Sequence, residues 1–257
     1  MTVTAAKDKW ILKKRLKRFF NPERKTRQGL CEFLDALSDK VDVYIYGGVI
    51  RDIALYGVDC FKSDIDIVFT GDESALESVW TNYDAERNNF GGHRLTVDHW
   101  QVDIWPAEST WAFKEGYQEF ESIESMLDTT ITNWDAILYH WKDEKIICKD
   151  DYFKDLSSYY LDVVLDKNPN MLGMCTRVMR YCGGKAAAKE VSPRVAHLLK
   201  QALENYSKQT LLEYEERSFD DRYLESAYER LAEDKTLRQD DLFPKEMGIH
   251  HTRAMFQ

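Results

Sequence analysis

Three aspartates and a pair of glycines carry the chemistry this sequence suggests. Asp64 and Asp66 stand two apart in SDIDIVF, alternating with Ile65 and Ile67. On a strand, residues two apart project to one face, so the isoleucines take the core and the aspartates the opposite side. Two like charges that close are costly to bury unless a cation lies between them. A donor set made only of oxygen favours Mg2+ or Mn2+ over zinc. A solvated edge strand is the competing reading, and the D-x-D spacing alone does not separate the two. Asp103, in WQVDIWP, adds a third carboxylate on a strand flanked by apolar residues. Three carboxylates suffice for two metals, one activating a hydroxyl and the other stabilising the leaving oxygen of an in-line displacement.

The glycines, Gly47 and Gly48, lie in YIYGGVIRDIALYG, where a strand gives way to a helix. Glycine lets a ligand approach the backbone closely. A helix N-terminus offers free N–H groups and the positive end of the helix dipole, which suits phosphate. Arg51, one turn into the helix, adds a charged fork. A tight turn is the plainer reading of a glycine pair. Phosphate cradle, acidic cluster and strand order together point to nucleotidyl transfer.

These segments have a counterpart among known families. GGVIRDIALYGVDCFKSDIDIVFTG resembles the signature of the polymerase-β-like nucleotidyltransferase superfamily. The nearest version is the head domain of bacterial poly(A) polymerases and class II CCA-adding tRNA nucleotidyltransferases. Gly47, Gly48, Arg51, Asp52, Gly57, Asp64 and Asp66 fill the signature positions, and NNFGGHRLTVDHWQVDIW places Asp103 at the third carboxylate. The resemblance covers the first half of the chain. It implies an α+β head with a mixed sheet, a two-metal Mg2+ (or Mn2+) site on Asp64, Asp66 and Asp103, and a nucleoside triphosphate donor held at Gly48. It further implies that Asp103 helps deprotonate an acceptor hydroxyl, typically an RNA 3′ end.

The chain also departs from the pattern. Where the family carries R-R-D-F-T-I-N-A-L, this sequence reads DTTITNWDAILY, with no arginines and with Asp135 at the usual Asn. Where the family reads E-D-x-x-R before L-R-x-x-R-F, this sequence reads PNMLGMCTRVMRYC. Arg177 and Arg180 match the later arginines, which the resemblance assigns to the triphosphate. Asn170, Met171 and Met174 stand where the base is read, so the donor base does not carry over. The stretch after Arg180 is short for a tRNA-holding body and tail.

Apolar periodicity supplies the elements that must position these groups. The spacing predicts helices over 8–20 and in RQGLCEFLDALSDK, a strand VDVYIYGG, a helix VIRDIALYG, and a strand DIDIVF. A helix SALESVWTNY and two alternating strands in HRLTVDHWQVDIWPA, turning near Asp98–His99, come next. ITNWDAILYHW should pass from loop to strand, and KIICKD should pair after a turn. Helices then dominate, with NMLGMCTRVMRYC, SPRVAHLLKQALENYSKQTLLEYEERS and DDRYLESAYERLAED; Ser192 and Pro193 read as N-cap and N1. The expected division is a catalytic head at 1–155, including a basic helical arm at 1–28, and a helical region at 156–257.

The net charge over 257 residues is −10, yet ten Lys and Arg lie between Met1 and Gln28 against only Asp8 and Glu23. That basic segment on an acidic chain suits a polyanion such as RNA, or docking on the protein's own acidic surface. The five cysteines are scattered without a C-x-x-C pair, which fits a reducing cytoplasm and neither a disulfide framework nor a zinc site. No apolar run is long enough to span a membrane. His93 and the Trp100, Trp105 and Trp111 group read more readily as packing than as substrate contacts, and His250–His251 as a solvated tail. Two alternatives stay open: a catalytically silent relative that binds RNA or a protein, and nucleotide transfer to a protein or small molecule.

Overall fold

The structure is a computed structural model that describes residues 4–59, 61, 63–88, 91–184, 186–233 and 254–255. His250–His251, Cys60 and Phe90 lie outside the described residues. The chain divides into two compact units, one of residues 1–130 and 134–153, the other of 131–133 and 154–257.

The first unit is built on a seven-stranded mixed sheet. Its strands are β1 (Asp42–Tyr46), β2 (Ile65–Thr70), β3 (Glu86–Arg87), β4 (His93–Val97), β5 (Trp100–Pro106), β6 (Ile137–His140) and β7 (Lys145–Cys148), in the order β3-β4-β5-β2-β1-β6-β7. β2 and β5 run parallel, and the other pairs are antiparallel. Val43, Ile45, Ile65, Ile67, Phe69, Val102 and Ile104 are buried, the apolar half of each alternating pattern. The HRLTVDHWQVDIWP segment forms the expected hairpin, with Asp98 at φ 54° in its turn.

Helices α1 (Lys9–Phe19), α2 (Lys25–Ser38), α3 (Gly48–Tyr56), α4 (Glu77–Asn82) and α5 (Trp111–Lys114) complete this unit. Asp8 caps α1 by accepting from the Ile11 amide at 2.8 Å. Leu12, Leu16 and Phe19 bury the inner stripe of α1. The segment expected as one helix from Ser74 is split into a 3-10 turn, Glu73–Leu76, and the short α4. Asp72 holds that turn through the Ser74 amide, which favours the tighter winding at the start.

Many cations of the basic segment are engaged within the unit. Arg15 donates to the carbonyls of Ala54 (2.6 Å) and Thr4 (2.7 Å). Lys13 and Lys17 pair with Glu144 at 3.1 and 2.8 Å, and Arg18 and Arg24 approach Asp59 at 3.7 and 3.6 Å. Arg27 lies 4.2 Å from the centre of the Trp100 ring. Outward-facing Trp10 is 65% exposed, with Lys14 stacked over its ring at 3.6 Å.

After α6 (Tyr152–Ser158), the second unit contains β8 (Tyr160–Leu161), α7 (Met171–Gly183), β9 (Glu190–Val191), α8 (Pro193–Asn205), α9 (Lys208–Ser218), α10 (Leu224–Glu233) and β10 (Ala254–Met255). Ser192 caps α8 with Pro193 in its first turn, as the sequence implies. The long helix expected from Pro193 to Ser218 is two helices. Ser207 accepts from the Thr210 amide and so starts a new helix after an extended Tyr206. Buried Glu215 accepts from Arg180 and from the amides of Tyr223 and Leu224.

Candidate active site

The β1–α3 junction is shaped by Gly47, whose φ of 59° falls in the left-handed region that favours glycine. Its amide donates to the Ile137 carbonyl at 3.0 Å, while its own carbonyl accepts from Ile50 and Arg51 and starts α3. Gly48 then occupies the first helical position. A Cβ there would meet nothing nearer than Arg51 Nη2 at 3.8 Å, so space remains beside the first amides of the helix.

Arg51 does not face that space as a free fork. Its Nε donates to Asp52 Oδ1 at 2.7 Å, and its Nη1 bonds to buried Asp135. Asp135 thus receives the arginine that the sequence suggests for phosphate. Through Asp135, Arg51 links α3 to the loop before β6.

The carboxylates gather on the parallel pair. Asp66 and Asp103 are register partners across β2 and β5, and Asp64 lies one residue before β2 begins, half exposed. Asp64 therefore stands at the strand entry, whereas the sequence pattern predicts it inside the strand. Burial pushes the Asp64 carboxyl up from its ordinary value, with Arg94 opposing the rise and Asp103 adding to it. Tyr46, the partner of Asp66 on β1, donates to the Met126 carbonyl at 3.1 Å, and burial pushes its phenol up.

One group at the site lies outside the sequence expectations. Arg94 faces Asp103 across β4 and β5, its Nε 2.8 Å from Oδ1 and its Nη2 bonded to Oδ2. The same Nη2 is 3.7 Å from Asp64 Oδ2. Asp103 holds the guanidinium well above its ordinary value, with Asp64 and Asp66 adding to the effect. The sequence does carry a signal for it: equal steps back from the Val97–Trp100 pair at the hairpin turn place Arg94 opposite Asp103.

An oxygen-only donor set suits a hard divalent cation such as Mg2+ or Mn2+. Among the described residues no three Asp, Glu, His or Cys side chains are already spaced around one metal position. The chemistry of the donors fits, and the arginine lies across one of them.

Arg177 and Arg180 belong to the second unit, both on α7, with Arg177 exposed. Arg180 bonds to Glu215 and to the Asp221 carbonyl and stacks on Phe219 at 4.0 Å. Asn170 caps α7 through the Gly173 amide and donates to Tyr214. In the first unit, His93 stacks on Trp80 at 4.3 Å between ring centres. Trp100 is buried against Phe61, Trp105 donates to Thr110, and Trp111 packs beside Tyr117. Among the described residues no helix is long and apolar enough to cross a membrane.

No family model matches the chain, and no curated protein matches it in sequence. Solved structures do match in fold. A tRNA-processing enzyme in an apo form superposes with a TM-score of 0.55 at 17% identity, covering 85% of this chain and 58% of its own. A Thermotoga maritima CCA-adding enzyme complexed with tRNA gives 0.55 at 20% identity, covering 84% and 51%. A CCA-adding enzyme complexed with ATP gives 0.56 at 18% identity, covering 92% and 57%. This chain therefore spans between half and three-fifths of the length of these structures, and it shares its fold with them.

Proposed function

We propose that this protein is a metal-dependent nucleotidyltransferase that moves a nucleoside monophosphate from a nucleoside triphosphate to a hydroxyl, with an RNA 3′ end of the tRNA type as acceptor. The observation that carries the reading is the pairing of Asp66 with Asp103 on adjacent parallel strands, with Asp64 at the strand entry. The shared fold supports it, since structures of that fold are complexes with tRNA and with ATP.

In this reading the first unit is the catalytic head and the second a helical neck. Asp64, Asp66 and Asp103 hold the divalent cations, and the amides at Gly48 receive the triphosphate. Cations held there would supply the charge for activating the hydroxyl and stabilising the leaving oxygen. Asp103 also helps take the proton of the acceptor hydroxyl. RNA is met by the outward cations of the basic segment, Lys9 and Lys14, with Trp10 offering a stacking face.

The test supplies each of the four nucleoside triphosphates separately, with Mg2+, to the protein and either total RNA or total protein. Label should enter RNA, and Asp66→Asn should abolish it. Label in protein instead would move the acceptor, and no label in any arm would sink the reading. Arg94 on Asp103 favours a second reading, a relative that keeps the fold without catalysis; the absence of Mn2+ binding would support it.

A further inference from the structure

We propose that Arg94 gates the metal site: it is an internal cation that occupies Asp103 and must release it before a divalent ion binds there. The inference rests on the nucleotidyltransferase reading for the metal and on the geometry of β4 and β5 for the gate.

Both oxygens of Asp103 accept from Arg94, and the guanidinium also lies near Asp64. A hard cation needs one of those same oxygens, at metal–oxygen distances of about 2.0–2.1 Å for Mg2+. A divalent ion on Asp103 would also stand next to the guanidinium charge, so the two repel. Metal and arginine therefore compete for one carboxylate.

The competition has a direction. The Arg94 side chain is 54% exposed and that of Asp103 only 16%. Arg94 has a way out to solvent on a long, flexible stem, whereas Asp103 is fixed on the sheet. Without metal, Arg94 offsets the mutual repulsion of three neighbouring acids. With metal, the guanidinium swings outward and Asp103 joins Asp64 and Asp66. Arg94 is thus a positioning residue that sets how much free metal the site requires.

Mn2+ titration followed by electron paramagnetic resonance of the free ion tests this on the full chain, comparing wild type, Arg94→Gln and Arg94→Gln/Asp103→Asn. Thermal unfolding without metal is recorded alongside. Arg94→Gln should bind Mn2+ about threefold to fivefold more tightly, the scale of one competing exposed ion pair, while its metal-free melting temperature falls. The added Asp103→Asn change should erase the gain. A purely structural arginine would weaken both quantities in Arg94→Gln, and that result overturns the gate. Equal Mn2+ affinity in wild type and Arg94→Gln overturns the gate while leaving the metal reading intact. Absence of Mn2+ binding in both overturns the metal reading and the gate with it.

Discussion

Asp66 and Asp103 stand side by side on adjacent parallel strands, while their register neighbours Ile67 and Ile104 are buried. The sheet thus presents two carboxylates on one face without disturbing the apolar face below. Asp66→Asn keeps the shape and removes the charge. In the proposed two-metal reading, metal stabilisation is worth several kcal/mol, so nucleotide transfer should fall about 10³-fold or more, and the circular dichroism spectrum should stay the same. Initial rates with labelled nucleoside triphosphate check this; a rate within about tenfold of wild type would remove Asp66 from the reaction.

The Arg51–Asp135 pair makes a prediction about stability. Both side chains are largely buried, at 13% and 9% exposure. Arg51→Gln leaves the Asp135 carboxylate without its charged partner, and breaking such a pair costs about 3–5 kcal/mol. Asp135→Asn in addition removes the stranded charge, so the double variant should be more stable than Arg51→Gln alone. Urea unfolding of the two variants and wild type measures it, and a double variant weaker than Arg51→Gln would contradict the pairing.

The same pair shows where the sequence is legible and where it is not. β1, β2, α3 and the β4–β5 hairpin follow from apolar periodicity and turn residues, because local spacing decides which side chains face the core. The partner of Arg51 is 84 residues away. It is found only when β1 and β6 are known to pair, which no local pattern reveals. Arg94 is within reach by counting along the hairpin, but only once the turn at Asp98–His99 fixes the register; the spacing of the acids alone says nothing of the cation opposite them. The break between α8 and α9 is hidden because Tyr206 and Ser207 continue a helical-looking run until Ser207 is seen to cap the next helix.

His93 gives a pH dependence. It is buried beside Trp80, with Glu73 at 3.7 Å and Arg87 on the neighbouring strand. Burial lowers its pKa, Glu73 opposes the shift and Arg87 adds to it. The unfolded chain therefore takes up this proton first as pH falls below about 6.5, the ordinary value, and stability drops until the folded value is passed. His93→Gln should lose that part of the slope. Chemical unfolding at several pH values between neutrality and about pH 5 tests it, and identical slopes in both proteins would exclude the effect.

Two glycines should respond oppositely to alanine. At Gly183, which ends α7, a Cβ would fall 2.1 Å from the Tyr223 carbonyl oxygen and 2.7 Å from the Ala227 amide nitrogen. Both are backbone atoms at the start of α10, so the helices must separate, at a cost of roughly 1–3 kcal/mol. At Gly48 the nearest atom is 3.8 Å away and the backbone is helical, so alanine fits. Alanine there gains helix propensity of up to about 1 kcal/mol, but its methyl group enters the space assigned to the triphosphate. Gly183→Ala should therefore lower the urea midpoint with little change in nucleotide affinity, and Gly48→Ala should hold the midpoint while weakening nucleotide binding. Calorimetric titration with a non-hydrolysable triphosphate separates them; unchanged affinity in Gly48→Ala would show that the phosphate does not approach the start of α3.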